Sequence, residues 1–151
     1  MQNLHPRIKR KTLIQCLVAI DTLKADIIEF EKILPYLPRT MEEDFPQCKK
    51  FLIKRQEEIK KILEIILNNQ EELDKKIADS AKNWRIERMA IVDRNILRLA
   101  LYELMYTEVP PPVIMDEALE LSKIFSEEQS YKFINGVLDK IKNNLEKEKM
   151  E

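Results

Sequence analysis

A single glycine, Gly136, stands among 151 residues. Tight hairpins draw on residues that tolerate positive φ, so a chain this poor in glycine has almost nothing from which to turn strand after strand. Histidine is as scarce: His5 is the only one, and its place near the terminus leaves no Ser-His-Asp or Cys-His arrangement to assemble. The two cysteines, Cys16 and Cys48, stand far apart in no CxxC pair. Zinc-type spacing is therefore missing, and both read as reduced thiols of a cytoplasmic protein. No glycine-rich loop for phosphate exists. Apolar runs are short and interrupted by charge, which excludes a membrane span or a signal peptide in this stretch of chain. The formal net charge of −1 gives no overall pull toward nucleic acid or membrane. No catalysis, cofactor or metal is expected.

What is abundant is charge and aliphatic carbon, 35% and 44% of residues by the charged and hydrophobic sets. That mixture favours long helices with one buried and one solvated face. The expectation is an all-α, compact helical domain spanning residues 1–151, of about six or seven helices in two small bundles, long enough to bury a core without disulfides.

The periodicity places the elements. Pro6 can open a helix over about 6–23, with Leu13, Leu17 and Ile20 on one face and Ile14 and Val18 beside them. A second helix near Ala25 to Leu34 offers Ile27, Ile28, Phe30, Ile33 and Leu34 for burial, and Pro35 and Pro38 then make residues 35–46 a linker. From Gln47 the apolar positions Phe51, Leu52, Ile59, Ile62, Leu63, Ile66, Leu73 and Ile77 keep helical spacing. They form one helix or two separated at Asn68-Asn69, where two poor helix formers meet.

After Trp84 comes a segment apolar around most of its circumference, from Ile91 to Met105, expected to be the central buried helix shared by both bundles. Pro110 to Pro112 starts the next helix, with Val113, Ala118, Leu119 and Leu121 inward, and Ser130 is a candidate N-cap for the last. Phe133, Ile134, Val137, Leu138 and Ile141 face inward there, and residues 142–151 are expected to fray. Gly136 inside this helix costs ~1 kcal/mol relative to Ala, which is explained if another helix approaches it closely. Trp84, Tyr102 and Tyr106 read as packing anchors.

Charge is unevenly placed. Arg7, Lys9, Arg10 and Lys11 precede the first acidic residue, Asp21. Such a cluster on first helical turns can pair with phosphates, or serve only as a solubilising terminus. The acidic pairs Glu42-Glu43, Glu57-Glu58, Glu71-Glu72 and Glu127-Glu128 read as solvated surface.

Three blocks then narrow the reading. Val92-Asp93-Arg94-Asn95-Ile96-Leu97-Arg98-Leu99-Ala100-Leu101-Tyr102-Glu103-Leu104 is followed at fitting distances by Asp116-Glu117-Ala118-Leu119-Glu120-Leu121-Ser122-Lys123 and by Lys132-Phe133-Ile134-Asn135-Gly136-Val137-Leu138-Asp139-Lys140. As an ordered set these resemble the core of the NusB family, bacterial transcription antitermination factors, most strongly over residues 84–141.

The resemblance implies a non-catalytic protein. It would bind boxA-type single-stranded RNA of ribosomal RNA transcripts together with the ribosomal protein NusE, within an antitermination complex on RNA polymerase. It assigns RNA contacts to Arg7, Lys9 and Arg10, followed by the family's Gln-x-Leu at Gln15 and Leu17. It assigns further RNA contacts to Phe125, Gln129, Lys132 and Phe133 around the turn into the last helix, where aromatic rings can stack on unpaired bases; both Phe side chains could equally be core. Val18 and Asp93 occupy the positions that face the protein partner, Asp93 being also a favoured first-turn acid. The sequence departs from the family pattern at Val18, where an aromatic residue is usual, at Ser126, where Gly is, and at Gln129, where Asp is frequent. Two alternatives stay open: a NusB-like domain of a ribosomal RNA cytosine methyltransferase, or a helical interaction protein that has lost RNA binding. The end of the chain at Glu151 without a βαβ pattern favours a free-standing factor. Some members of the family self-associate, so monomer and homodimer are both open.

Overall fold

A computed structural model describes residues 5–41, 45–82 and 84–151. Its helices are α1 (His5–Thr22), α2 (Ile27–Ile33), α3 (Pro46–Lys54), α4 (Gln56–Asn68), α5 (Gln70–Ser80), α6 (Ile91–Tyr106), α7 (Pro111–Phe125) and α8 (Ser130–Met150), with 3-10 segments at Leu34–Thr40 and Ile86–Arg88. Among the described residues there is no strand. The count exceeds the expected six or seven because the chain leaves helical geometry at Arg55 (φ −119°, ψ 35°) as well as at Asn69 (φ −111°, ψ 13°). The Asn68-Asn69 pair thus divides α4 from α5. The segment expected to be a linker is a 3-10 helix through Thr40, Pro35 supplying a φ suited to its first turn. Glu42-Glu43 lies outside the described residues.

The chain divides into two compact units, residues 1–68 and 69–151. In the first, α1 packs on α3, α4 and the 3-10 segment, burying Leu13, Ile14, Leu17 and Ile20 together with Phe30, Leu52 and Leu63. Thr12, fully buried, donates its hydroxyl to Ile8 O (2.7 Å). The α1 terminus shows how a chain lacking glycine stops a helix: Lys24 takes the left-handed conformation (φ 55°) usually given to Gly, and Ala25 N–H closes back onto Ile20 O (3.1 Å). Burial in α2 departs from expectation. Phe30 is sealed while Ile28 is 69% exposed, because residues two apart lie on opposite sides of a helix.

In the second unit α6 packs against α5, α7 and α8. Asp93 and all of Asn95 to Glu103 are buried. Arg98 reaches from α6 to α5, its Nε and Nη2 donating to Asp74 Oδ1 (2.7 Å) and Oδ2 (2.9 Å). In α7 the buried stripe is Ile114, Ala118 and Leu121, which leaves Val113 exposed and Leu119 only half-buried.

Two expectations for the last helix are corrected. Residues 142–150 continue α8 instead of fraying; Asn144 Nδ2 donates to Ser80 Oγ (3.1 Å) and Lys76 pairs with Glu148 (3.3 Å), tying the tail to α5. Gly136 is exposed, and a Cβ built on it would meet nothing within 4 Å. It lies two residues from both Ile134 and Leu138, hence on the opposite face, and among the described residues no other helix comes within 4 Å of that Cβ. Its backbone entropy therefore has no compensating contact, and Gly136→Ala is expected to stabilise the protein by about 1 kcal/mol. A thermal melt that rises checks this; an unchanged or lower midpoint would contradict it.

Candidate functional site

The residues assigned to RNA fall into two groups, one on each unit. On α1, Arg7 is exposed while Lys9 and Arg10 are partly covered. Lys9 Nζ pairs with Glu58 Oε2 at 2.7 Å, and Arg55 Nη1 approaches the same carboxylate at 3.2 Å. Lys9's hydrogen bond, outweighing partial burial, holds the Glu58 carboxyl below its ordinary range. Glu58, read from the sequence as solvated surface, thus belongs to the basic cluster, and no local signal in the sequence points to a partner so far along the chain. Gln15 is inward, its Nε2 donating to Lys11 O (3.3 Å), and Leu17 is core. Val18 is half-buried.

On the second unit the turn between α7 and α8 carries the rest. Phe125 and Phe133 are half-buried, Gln129 and Lys132 exposed. Gln129 Nε2 donates to Glu127 Oε2 (2.6 Å). Phe133 meets Trp84 edge to face, ring centroids 5.5 Å apart at 61°, and Lys123 Nζ lies 5.5 Å from the centre of the Tyr131 ring. Trp84, expected to be a packing anchor, packs on Phe133 but is 54% exposed; Tyr102 is buried and Tyr106 half-open, the two rings stacked at 5.9 Å.

Beneath this turn lies Asp93. Expected to face a protein partner, it is 6% exposed, and both carboxylate oxygens accept hydroxyls, Oδ1 from Ser126 Oγ and Oδ2 from Ser130 Oγ, each at 2.7 Å. The reason is local supply of donors: the two serines flank the turn and satisfy a carboxylate that would otherwise need water. Asp93 is accordingly an internal strut from α6 to the α7–α8 turn. Ser130, expected to cap α8, gives its hydroxyl to Asp93, and Gln129 takes the N-cap position without a side-chain bond. The signal in the sequence was Ser126 itself, a hydroxyl where the family pattern has Gly.

Cys16 and Cys48 are buried and unpaired with each other by any disulfide, and burial pushes both thiols up, Cys16 far above its ordinary value. Among the described residues no group of His, Cys, Asp and Glu could hold a metal ion, and no helix is long and apolar enough to cross a membrane.

The described residues thus form two helical units, one opened by a basic helix and the other bearing an aromatic and cationic turn. The NusB family model matches residues 7–143, and the chain belongs to the NusB family. The transcription antitermination protein NusB of Macrococcus caseolyticus is 51% identical over 79 residues, covering 52% of this chain and 61% of that protein. Matches to such curated relatives span 44% to 64% of their lengths. Among solved structures, NusB of T. maritima is similar at 31% identity and TM-score 0.69, covering 89% of this chain and 88% of that one. A structure of the antitermination factors NusB and NusE in complex with double-stranded RNA is similar at 25% identity and TM-score 0.65, covering 90% of this chain and 94% of that one.

Proposed function

We propose that this protein is a non-catalytic, cytoplasmic RNA-binding factor of transcription antitermination. It binds boxA-type RNA of ribosomal RNA transcripts together with the ribosomal protein NusE, in a complex with RNA polymerase. The observation that carries the reading is the match to the NusB family over residues 7–143, supported by the likeness to a NusB solved with NusE and RNA. Arg7, Lys9 and Arg10 supply phosphate affinity, and Phe125, Gln129, Lys132 and Phe133 meet exposed bases. Val18 contributes to the protein partner's side. Asp93 acts there indirectly, by holding the turn.

The test is a titration with boxA-like and scrambled single strands, with and without NusE. Replacing Arg7 and Arg10 by Ala is expected to weaken both RNAs alike and to flatten the log-log salt dependence by about 0.7 for each phosphate no longer neutralised. Changing Phe125 to Ala should cost ~1–3 kcal/mol with little change in that slope if the ring stacks on a base. An unchanged salt slope in the folded arginine variant would reduce α1 to a solubilising terminus.

A further inference from the structure

Trp84 is the only tryptophan of the chain, and it stands 54% exposed. An indole normally buries its large apolar surface, so one held half in water lacks a sizeable share of the hydrophobic stabilisation that it could give. It is nonetheless held in place. The backbone N–H of Trp84 donates to Ala81 O (2.9 Å), just before the 3-10 segment Ile86–Arg88, and the ring stands edge to face with Phe133, centroids 5.5 Å apart. Its neighbour Arg85 and Phe133's neighbour Lys132 are both exposed.

We infer that the exposed indole of Trp84, braced edge to face by Phe133, is a platform on which an unpaired nucleobase of a bound single strand stacks, with Arg85 and Lys132 meeting neighbouring phosphates. The inference rests on the RNA-binding reading above and adds to it a residue of which that reading makes no use. Three features converge. The indole is more than half exposed; it is held against Phe133, so little ordering is lost on stacking; and the residues next to the two rings in sequence, Arg85 and Lys132, are exposed cations, which suits a polyanion better than an apolar protein surface. Base stacking needs a rigid aromatic face beside positive charge, and every base has a face to offer.

The single tryptophan reports on its own site. Titrating the full chain with a boxA-like single strand, in the presence and absence of NusE, should quench Trp84 emission along the same isotherm that labelled-RNA anisotropy follows. Trp84→Ala should weaken RNA roughly five- to hundred-and-fifty-fold, the ~1–3 kcal/mol of one stacked base converted at ~1.4 kcal/mol per tenfold, with the salt slope unchanged. Trp84→Phe should recover much of that loss, and circular dichroism should show both variants folded. The inference is overturned if RNA binds by anisotropy while Trp84 emission stays constant and Trp84→Ala binds like the parent; the RNA-binding reading then survives without it. It is also overturned if NusE alone quenches Trp84 and added RNA does not, which would make the platform a protein-docking site. Absence of any RNA binding by the parent overturns both.

Discussion

Truncating Leu97 or Leu101 to Ala is expected to destabilise the protein by ~2–5 kcal/mol in each case. Both side chains are fully buried in the helix that packs against α5, α7 and α8. Each truncation removes apolar atoms from close-packed surroundings and leaves a cavity that three neighbouring helices can close only in part. The spread reflects how far they collapse. Denaturant unfolding should show the midpoint fall at constant slope. A loss of about half a kcal/mol or less, the size of an ordinary surface substitution, would remove α6 from the centre of its bundle.

Asp74→Ala should cost about 3 kcal/mol through a different cause. The Arg98 guanidinium, with 5% of its side chain exposed, is held by both oxygens of Asp74, whose own side chain is 20% exposed. Arg98 Nη1 also donates to Asn95 Oδ1 at 3.2 Å. Removing the carboxylate takes the two-point Asp74 partner from a desolvated cation, a change worth ~3–5 kcal/mol in fully buried pairs; the residual exposure of Asp74 puts the effect at the lower end. The double variant Asp74→Ala, Arg98→Met separates charge from packing. If the loss of the Asp74 charge beside a desolvated cation is the cause, the second change should return a large part of the lost stability. If the double variant is less stable than Asp74→Ala alone, packing and hydrogen bonding by the Arg98 side chain dominate, and the pair is a structural tie rather than an electrostatic liability.

These two effects rest on residues of unequal visibility in the sequence. Leu97 and Leu101 declared themselves through a segment apolar nearly all round, whereas nothing near Arg98 announced Asp74, because the partner lies on another helix. The same division runs through the site. Helical periodicity with a single glycine was enough for an all-α chain and for the stripe Leu13, Leu17, Ile20 on α1, since each follows from the 3.6-residue repeat and from local backbone preferences, whereas at Asn68-Asn69 it left one helix or two open. The acid-free stretch through Arg7 and Arg10 was legible for the same reason: it is a property of neighbours in sequence.

Tertiary structure decided what each polar or aromatic side chain meets. It turned Asp93 inward onto Ser126 and Ser130, paired Lys9 with Glu58, left Trp84 in the open against Phe133 and cleared the space around Gly136. Those outcomes depend on groups brought together from distant parts of the chain, where hydrogen-bond and ion-pair geometry selects one partner among many of equal local merit. Periodicity says which face of a helix is buried; only the packed neighbours determine what that face, or the edge beside it, will touch.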